Sequence, residues 1–408
     1  MTIKQQILGN GLSLGLIYLS RLILPLTLIP ILNNYHSDIL GEFLYFLSWG
    51  LWVMTLIEFG FNVSLTRRLS RDGIAKKKIN NAIASTYVAK FILFTIALCI
   101  YFIMSIFLQI IDVQFVFKGI IYGFLMGLMP IFYFHSQHKI HQLMLIEVIS
   151  SVIILPLSII LLETVGKLSA LLNLFILIKL AANVLAYILM SKFTGFTWNK
   201  NRIKPLSYLK NAILPFKTRV YSSIYTGFFP VYVGFFLEPK MMSSFLVAEK
   251  VIKGLTALIN QAALSVFPVF TRLGSKKNNQ AYHNLKRYLI YIFLVMCIFV
   301  VIIQVSSASL VQLYLYKEPN DTTSFINMMS LIIPPISISS FLVMGFYYPR
   351  SKFKFVNDLT LYAGVGSLIL GYSLYLYFGL TGFVTTIIIV EWAVFIFLAL
   401  NFIKYNGN

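Results

Sequence analysis

The chain has 408 residues, 59% of them hydrophobic, with a mean hydropathy of +0.83 and a formal net charge of +20. Apolar runs longer than about 18 residues recur from end to end, each enough to cross roughly 30 Å of hydrocarbon; no soluble domain fits between them, and the short alternating segments of a β-barrel are absent. The basic excess does not mark nucleic-acid binding, because the cations flank apolar runs instead of forming one basic face.

The first predicted span covers 7–32, with Arg21 near its middle and Pro25 and Pro30 beyond it. Its apolar run is too long for a cleavable signal, so it reads as a retained span. The second covers 40–63 and, with its following turn, carries a polar stripe of Thr55, Glu58, Asn62 and Thr66 at helical spacing. The third covers 83–108 and holds Lys90; the fourth covers 115–135. In the fourth, Lys118 lies close enough to the end to snorkel, while Gly119, Gly123 and Gly127 make an edge that lets a neighbouring helix approach. His135, His138 and His141 follow, beside Lys139, and read as a solvated loop. Spans five and six cover 144–162 and 169–191, with Glu147 in one and Lys179 near the middle of the other. A long basic connector, about 192–214, precedes the second half. Span seven covers 215–237. Span eight covers 244–269 and presents Glu249, Lys253, Thr256 and Asn260 as one stripe, with Lys250 beside it; Glu249 and Lys253 stand at i,i+4, where opposite charges pair. The last four spans cover 286–314, 323–347, 358–377 and 381–403, with Pro334 and Pro335 in the tenth, Asp358 at the edge of the eleventh and Glu391 in the twelfth.

Charge orders these spans. Of 33 Lys and Arg residues, 24 fall in loops or at span ends on one side, three on the other side and six deeper within spans. The positive-inside rule then makes both termini cytoplasmic. A shift of 205 residues lays Pro25 on Pro230, Thr66-Arg67 on Thr271-Arg272 and Ser70 on Ser275. The expected architecture is therefore an all-α polytopic membrane protein of about twelve helices. It divides into residues 1–200 and 201–408, two six-helix lobes in a parallel pseudo-repeat.

A cation at the centre of a span costs about 2.5–3.5 kcal/mol on insertion scales. Arg21, Lys179, Lys250, Lys253 and, less deeply, Lys90 are therefore expected to line a wet interior or to pair with acids. They outnumber Glu58, Glu147, Glu249 and Glu391, so a central cavity should be net positive and suit an anionic cargo such as a phosphate or pyrophosphate. No Walker A loop, GxGxxG, GxSxG or HExxH occurs, so no cofactor, metal or catalytic centre is expected. Cys99 and Cys297 are isolated in apolar runs and read as buried hydrophobes.

The stretch LPLTLIPILNNYHSDILGEFLYFLSWGLWVMTLIEFGFNVSLTRRLSRD resembles the opening of Wzx-type polysaccharide flippases, as does FFLEPKMMSSFLVAEKVIKGLTALINQAALSVFPVFTRL in the second half. Glu58-Phe59-Gly60-Phe61-Asn62 is similar to that family's stretch closing span two, and Ala248-Glu249-Lys250 to its span-eight pattern. The resemblance implies the multidrug/oligosaccharidyl-lipid/polysaccharide exporter superfamily, with two lobes around a cationic cavity and alternating access in a bacterial inner membrane. It also implies a lipid-linked oligosaccharide on an undecaprenyl pyrophosphate carrier as cargo, and coupling to an ion gradient. Surrounding lipid, the polysaccharide polymerase and the chain-length machinery are candidate partners; nucleic acid is not. Related lipid II flippases have a Ser-Arg pair matched by Ser20-Arg21 and a basic residue matched by Lys250, but use fourteen spans and Arg at the second position. On this reading Arg21, Lys179, Lys250, Lys253, Lys90 and Asn260 bind the cargo, and Glu58 and Glu249 couple to a proton or sodium ion. The alternatives are a cation-coupled drug antiporter of the same superfamily, which would want an acid-rich interior, and a membrane polymerase or ligase, which would want a sizeable extracytoplasmic loop.

Overall fold

The computed structural model describes the backbone of residues 3–35, 37–70, 75–108, 113–195, 203–238, 241–274, 279–315 and 321–404; side chains at 3–12, 18, 35–38, 107–113 and 265–284 stand outside the described set. Among the described residues all regular structure is helical. In the first half the helices are α1 (Ile3–Tyr35), α2 (Ser37–Glu58), α3 (Phe61–Leu69), α4 (Lys76–Leu108), α5 (Val113–Leu128), α6 (Ile131–Ser136), α7 (Ile140–Thr164) and α8 (Leu168–Thr194). Then come α9 (Pro205–Ser223), α10 (Phe229–Val233), α11 (Ser243–Gly274), α12 (Asn279–Leu315), α13 (Asp321–Ser330), α14 (Ile333–Leu342), α15 (Phe353–Phe378) and α16 (Leu380–Lys404). A π-helical turn, Ile224–Phe228, joins α9 to α10, and a second, Val343–Tyr347, ends α14.

Taken across their short breaks, α2–α3, α5–α6, α9–α10 and α13–α14 each continue as one rod, so the described residues make twelve rods where twelve apolar stretches are predicted. Ten of these are long and apolar enough to cross a membrane. The other two are α9–α10, which carries Lys210, Lys217 and Arg219, and α11, which carries Glu249, Lys250 and Lys253. Helices overrun the predicted spans where the flanking sequence is basic: α4 begins at Lys76 and α9 at Pro205. Proline at the first helical position explains the second start, since its missing N–H is unpaired there anyway. The breaks have local causes. Phe59 and Gly60 both have positive φ, which ends α2. Pro130 ends α5, and Pro334 and Pro335 open α14, because proline has no N–H for the helical ladder. Pro130 and Pro335 are themselves related by the 205-residue shift.

The chain forms two compact units, Met1–Ser223 with Gly234–Lys240, and Ile224–Val233 with Met241–Asn408. Of the seventh rod, α9 belongs to the first unit and α10 to the second. Within the first unit α9 packs on the turn that follows α2. The Phe59 and Phe216 rings stack at 3.9 Å, and a Cβ on Gly60 would meet Phe216 N, Ala212 O and Pro215 Cβ at 2.8–2.9 Å. Those contacts tie the first four turns of α9 to the α2–α3 hinge.

Within the first unit the glycine edge does what its spacing predicts. Gly119, Gly123 and Gly127 of α5 face Trp49, Val53 and Ile57 of α2, another i,i+4 row. Built Cβ atoms would lie 2.9, 2.8 and 2.6 Å from the Cβ atoms of those three residues. Beside this seam the rings of Phe43, Phe46, Tyr122 and Phe175 pack edge to face and tilted at 5.2–6.4 Å, buried throughout. In the second unit Tyr347 donates a hydrogen bond to the Leu398 carbonyl (2.7 Å), and Phe346 meets Phe402 edge on, which joins the end of α14 to α16.

Overpacking the α2–α5 seam should be costly. Gly123→Leu is expected to destabilise the protein by about 1–3 kcal/mol or more. Gly366→Leu, at a glycine with open space around it, should leave the melting temperature of the detergent-solubilised protein nearly unchanged.

Candidate functional site

In the first unit, Arg21 of α1, Glu147 of α7 and Lys179 of α8 converge. Arg21 Nη2 donates to Glu147 Oε1 at 2.7 Å, and Lys179 Nζ donates to Glu147 Oε2 at 2.5 Å. The three side chains are 9%, 2% and 6% exposed. One carboxylate thus serves two cations with both its oxygens. Arg21 Nη1 also points at the Met54 thioether, 3.5 Å away on α2. Asn183, one turn beyond Lys179, donates to the Leu125 and Lys179 carbonyls and fixes α8 against α5. The backbone is softened at both ends of this bridge. Pro25 has no N–H to offer the Arg21 carbonyl, and the Ser151 hydroxyl takes the Glu147 carbonyl at 3.0 Å, a back-bond that bends helices.

Lys90 has a different environment. Its ammonium donates to the Gly127 carbonyl at 2.6 Å, with the Leu128 and Met129 carbonyls at 3.4 and 3.5 Å. These are the carbonyls orphaned where Pro130 breaks α5, and a cation is the natural cap for a helix C-terminus. The Phe132 ring lies 5.5 Å from the same ammonium. Glu58, at the last position of α2, is buried and ion-paired with Arg219 of α9.

The second unit repeats the first motif in another geometry. Glu249, Lys250 and Lys253 lie together at the start of α11. Glu249 is paired with Lys253 one turn on, and with Lys250 at 3.1 Å. Lys253 also donates to the Thr226 carbonyl, a group offered by the π-helical turn where the α-helical ladder is reset. Its side chain is 39% exposed, against 4% for Glu249, while its ammonium is engaged by Glu249 and the Thr226 carbonyl. Further along the stripe, Asn260 Oδ1 accepts from the Ser340 hydroxyl of α14 at 2.5 Å. Glu391 of α16 is buried in this unit and interacts electrostatically with Lys253 and Tyr225. Among the described residues no group of His, Cys, Asp or Glu could hold a metal ion.

The predicted site residues therefore form two clusters and three further contacts. Arg21 and Lys179 come together, and so do Lys250, Lys253 and Glu249. Lys90 caps a broken helix, Asn260 bridges to α14, and Glu58 engages Arg219. Two participants escape the sequence reading. Glu147 is visible there as an interior acid but not as the hub, because its partners are 126 and 32 residues away. Arg219 reads as one of many loop cations, because nothing local marks the helix that carries it to Glu58.

Residues 7–274 match the model of the family described as "Polysaccharide biosynthesis protein". The chain belongs to that family. This polysaccharide biosynthesis protein is 22% identical over 362 residues to a protein of Shigella dysenteriae named "Putative O-antigen transporter", with 84% of this chain and 86% of that one covered. It is 22% identical over 421 aligned positions to a protein of the same name from Escherichia coli (strain K12), covering 99% and 98%. Among solved structures it is similar to "Lipid II flippase MurJ, inward closed conformation", with a TM-score of 0.74, 17% identity, and 96% and 87% of the two chains covered. It is also similar to "MATE transporter ClbM in complex with Rb+", with a TM-score of 0.55, 15% identity, and 97% and 94% covered. At these identities the likeness to the solved structures is one of fold.

The capping geometry of Lys90 has a direct consequence. Lys90→Met should leave the Gly127 carbonyl buried without its donor and cost about 1–3 kcal/mol. The loss should read as a lower melting temperature in detergent, with residual transport scaling with the amount of folded protein.

Proposed function

We propose that this chain is a flippase that moves an oligosaccharide repeat unit, carried on undecaprenyl pyrophosphate, from the cytoplasmic to the outer leaflet of a bacterial inner membrane. The observation that carries the reading is the charge of the two clusters. In the first, Arg21 and Lys179 share the one carboxylate of Glu147, an excess that suits a pyrophosphate and disfavours a cationic drug, and in the second Lys250 and Lys253 converge on Glu249. Family membership and the two relatives named for O-antigen transport support the same class of cargo. The MATE fold alone does not favour the antiporter reading, since the charge of the site, and not the helix arrangement, selects the cargo.

The physical task is the transfer of many sugar hydroxyls past hydrocarbon. Each unpartnered polar group costs several kcal/mol there, which makes unaided flipping very slow. Arg21 and Lys179 in the first unit, and Lys250 and Lys253 in the second, hold the pyrophosphate in the course of alternating access, while the polyprenyl tail stays in lipid. Asn260 offers a neutral polar contact further along the α11 stripe. Glu58 and Glu249 are the coupling groups: each is a buried carboxylate holding side-chain cations, so a proton or sodium ion taken up there would release Arg219, or Lys250 and Lys253. Both termini face the cytoplasm, as the loop charges require. The polymerase and chain-length machinery would take the delivered unit on the far side.

Arg21→Ala and Lys250→Ala are each expected to abolish surface polysaccharide while the protein still inserts in the membrane. A deletion strain should accumulate single lipid-linked units facing inward, measured by their protection from an externally added glycosidase. Normal polysaccharide in both variants would remove the two cations from the site. Single units delivered to the surface of the deletion strain would point to a polymerase instead.

A further inference from the structure

The Arg21–Glu147–Lys179 bridge is more than a way to bury charge. A phosphate presents paired oxygens to a guanidinium and an ammonium in the way a carboxylate does, and Glu147 presents both of its oxygens, one to each cation. Glu147 therefore occupies the place an anionic cargo would need. We propose that Glu147 is a resident counter-ion: it fills the Arg21–Lys179 anion site when no cargo is bound, and the cargo's pyrophosphate displaces it. This rests on the reading of Arg21 and Lys179 as cargo-binding residues and adds an internal competitor to it.

Three observations favour exchange over a permanent bridge. First, the helical ladder is altered beside the bridge, since Pro25 has no N–H to donate and the Ser151 hydroxyl bonds the Glu147 carbonyl. Lys90, by contrast, is held by a row of three carbonyls at a fixed helix end. Second, the same composition recurs in the second unit, where Glu249 is shared by Lys250 and Lys253. Third, an empty site of two adjacent cations would repel itself, whereas a tethered carboxylate keeps the pair assembled between cargoes. The tether also favours release, since a counter-ion attached to α7 competes at a constant high effective concentration.

The consequence is a specific sign. Apparent affinity is the intrinsic affinity reduced by the fraction of molecules in which Glu147 is displaced. If that fraction is about a tenth or less, removing the competitor strengthens anion binding about tenfold or more. The test is equilibrium binding of radiolabelled inorganic pyrophosphate to the full chain in detergent, paired with thermal melts. Glu147→Gln is expected to bind pyrophosphate at least about tenfold more tightly than the parent. It should melt lower without ligand and regain more stability than the parent when pyrophosphate is added. If Glu147→Gln does not fold, Glu147→Asp, whose shorter side chain loosens the bridge while keeping the charge, should shift binding in the same direction by less.

Binding no tighter than the parent's in both variants, with Arg21→Ala having lost it, would overturn the counter-ion role and leave the cation site standing; Glu147 would then be a positioning residue. Equal binding in the parent, Glu147→Gln and Arg21→Ala, or no binding in any of them, would overturn the cation site itself and the proposal with it.

Discussion

A positive charge inside a bilayer is tolerated only where something answers it, and the chain provides three kinds of answer. A carboxylate is shared between two cations, as at Glu147 and Glu249. Backbone carbonyls are shared around one cation, as at Lys90. A simple ion pair forms across helices, as at Glu58 and Arg219. Of these, the shared carboxylate governs the rest, because it ties α1 to α7 and α8 in one unit and organises α11 in the other. Breaking a buried ion pair by removing one partner typically costs about 3–5 kcal/mol. The clusters are therefore structural first, and a change at either reads out in stability.

The irregular backbone serves these charges. Pro130 interrupts α5 and creates the carbonyls that Lys90 caps. The Thr226 carbonyl that Lys253 reaches lies in the π-helical turn Ile224–Phe228. The positive-φ pair Phe59 and Gly60 ends α2 directly after Glu58 and packs against α9, which delivers Arg219. In a membrane a freed backbone group must be re-satisfied within the protein. Each break here is matched by a side chain that needs a partner, so the costs of irregular helix and buried charge offset each other.

Apolar rods do not specify a cargo. MATE transporters and a lipid II flippase share this fold with a polysaccharide biosynthesis protein at identities of 15–17%. What can differ between such proteins is the balance of charge on a few interior positions. In the first unit that balance leans positive, with Arg21 and Lys179 on the one carboxylate of Glu147, and in the second Lys250 and Lys253 meet Glu249 and Glu391.

Much of this was legible in the chain by itself. Twelve rods stand where twelve apolar stretches are read, and among the described residues ten of them are apolar enough to cross a membrane by themselves. The Gly119–Gly123–Gly127 edge announced a close helix contact, since only small residues let two backbones approach. The i,i+4 spacing of Glu249 and Lys253 announced their pairing, since one turn of helix determines that geometry. Tertiary structure alone decided that Glu147 joins Arg21 to Lys179, that Lys90 is spent on a broken helix end, and that Arg219 reaches Glu58. In each case the partners lie on helices far apart in sequence, and which faces meet depends on the packing of many apolar side chains at once, information that no local spacing contains.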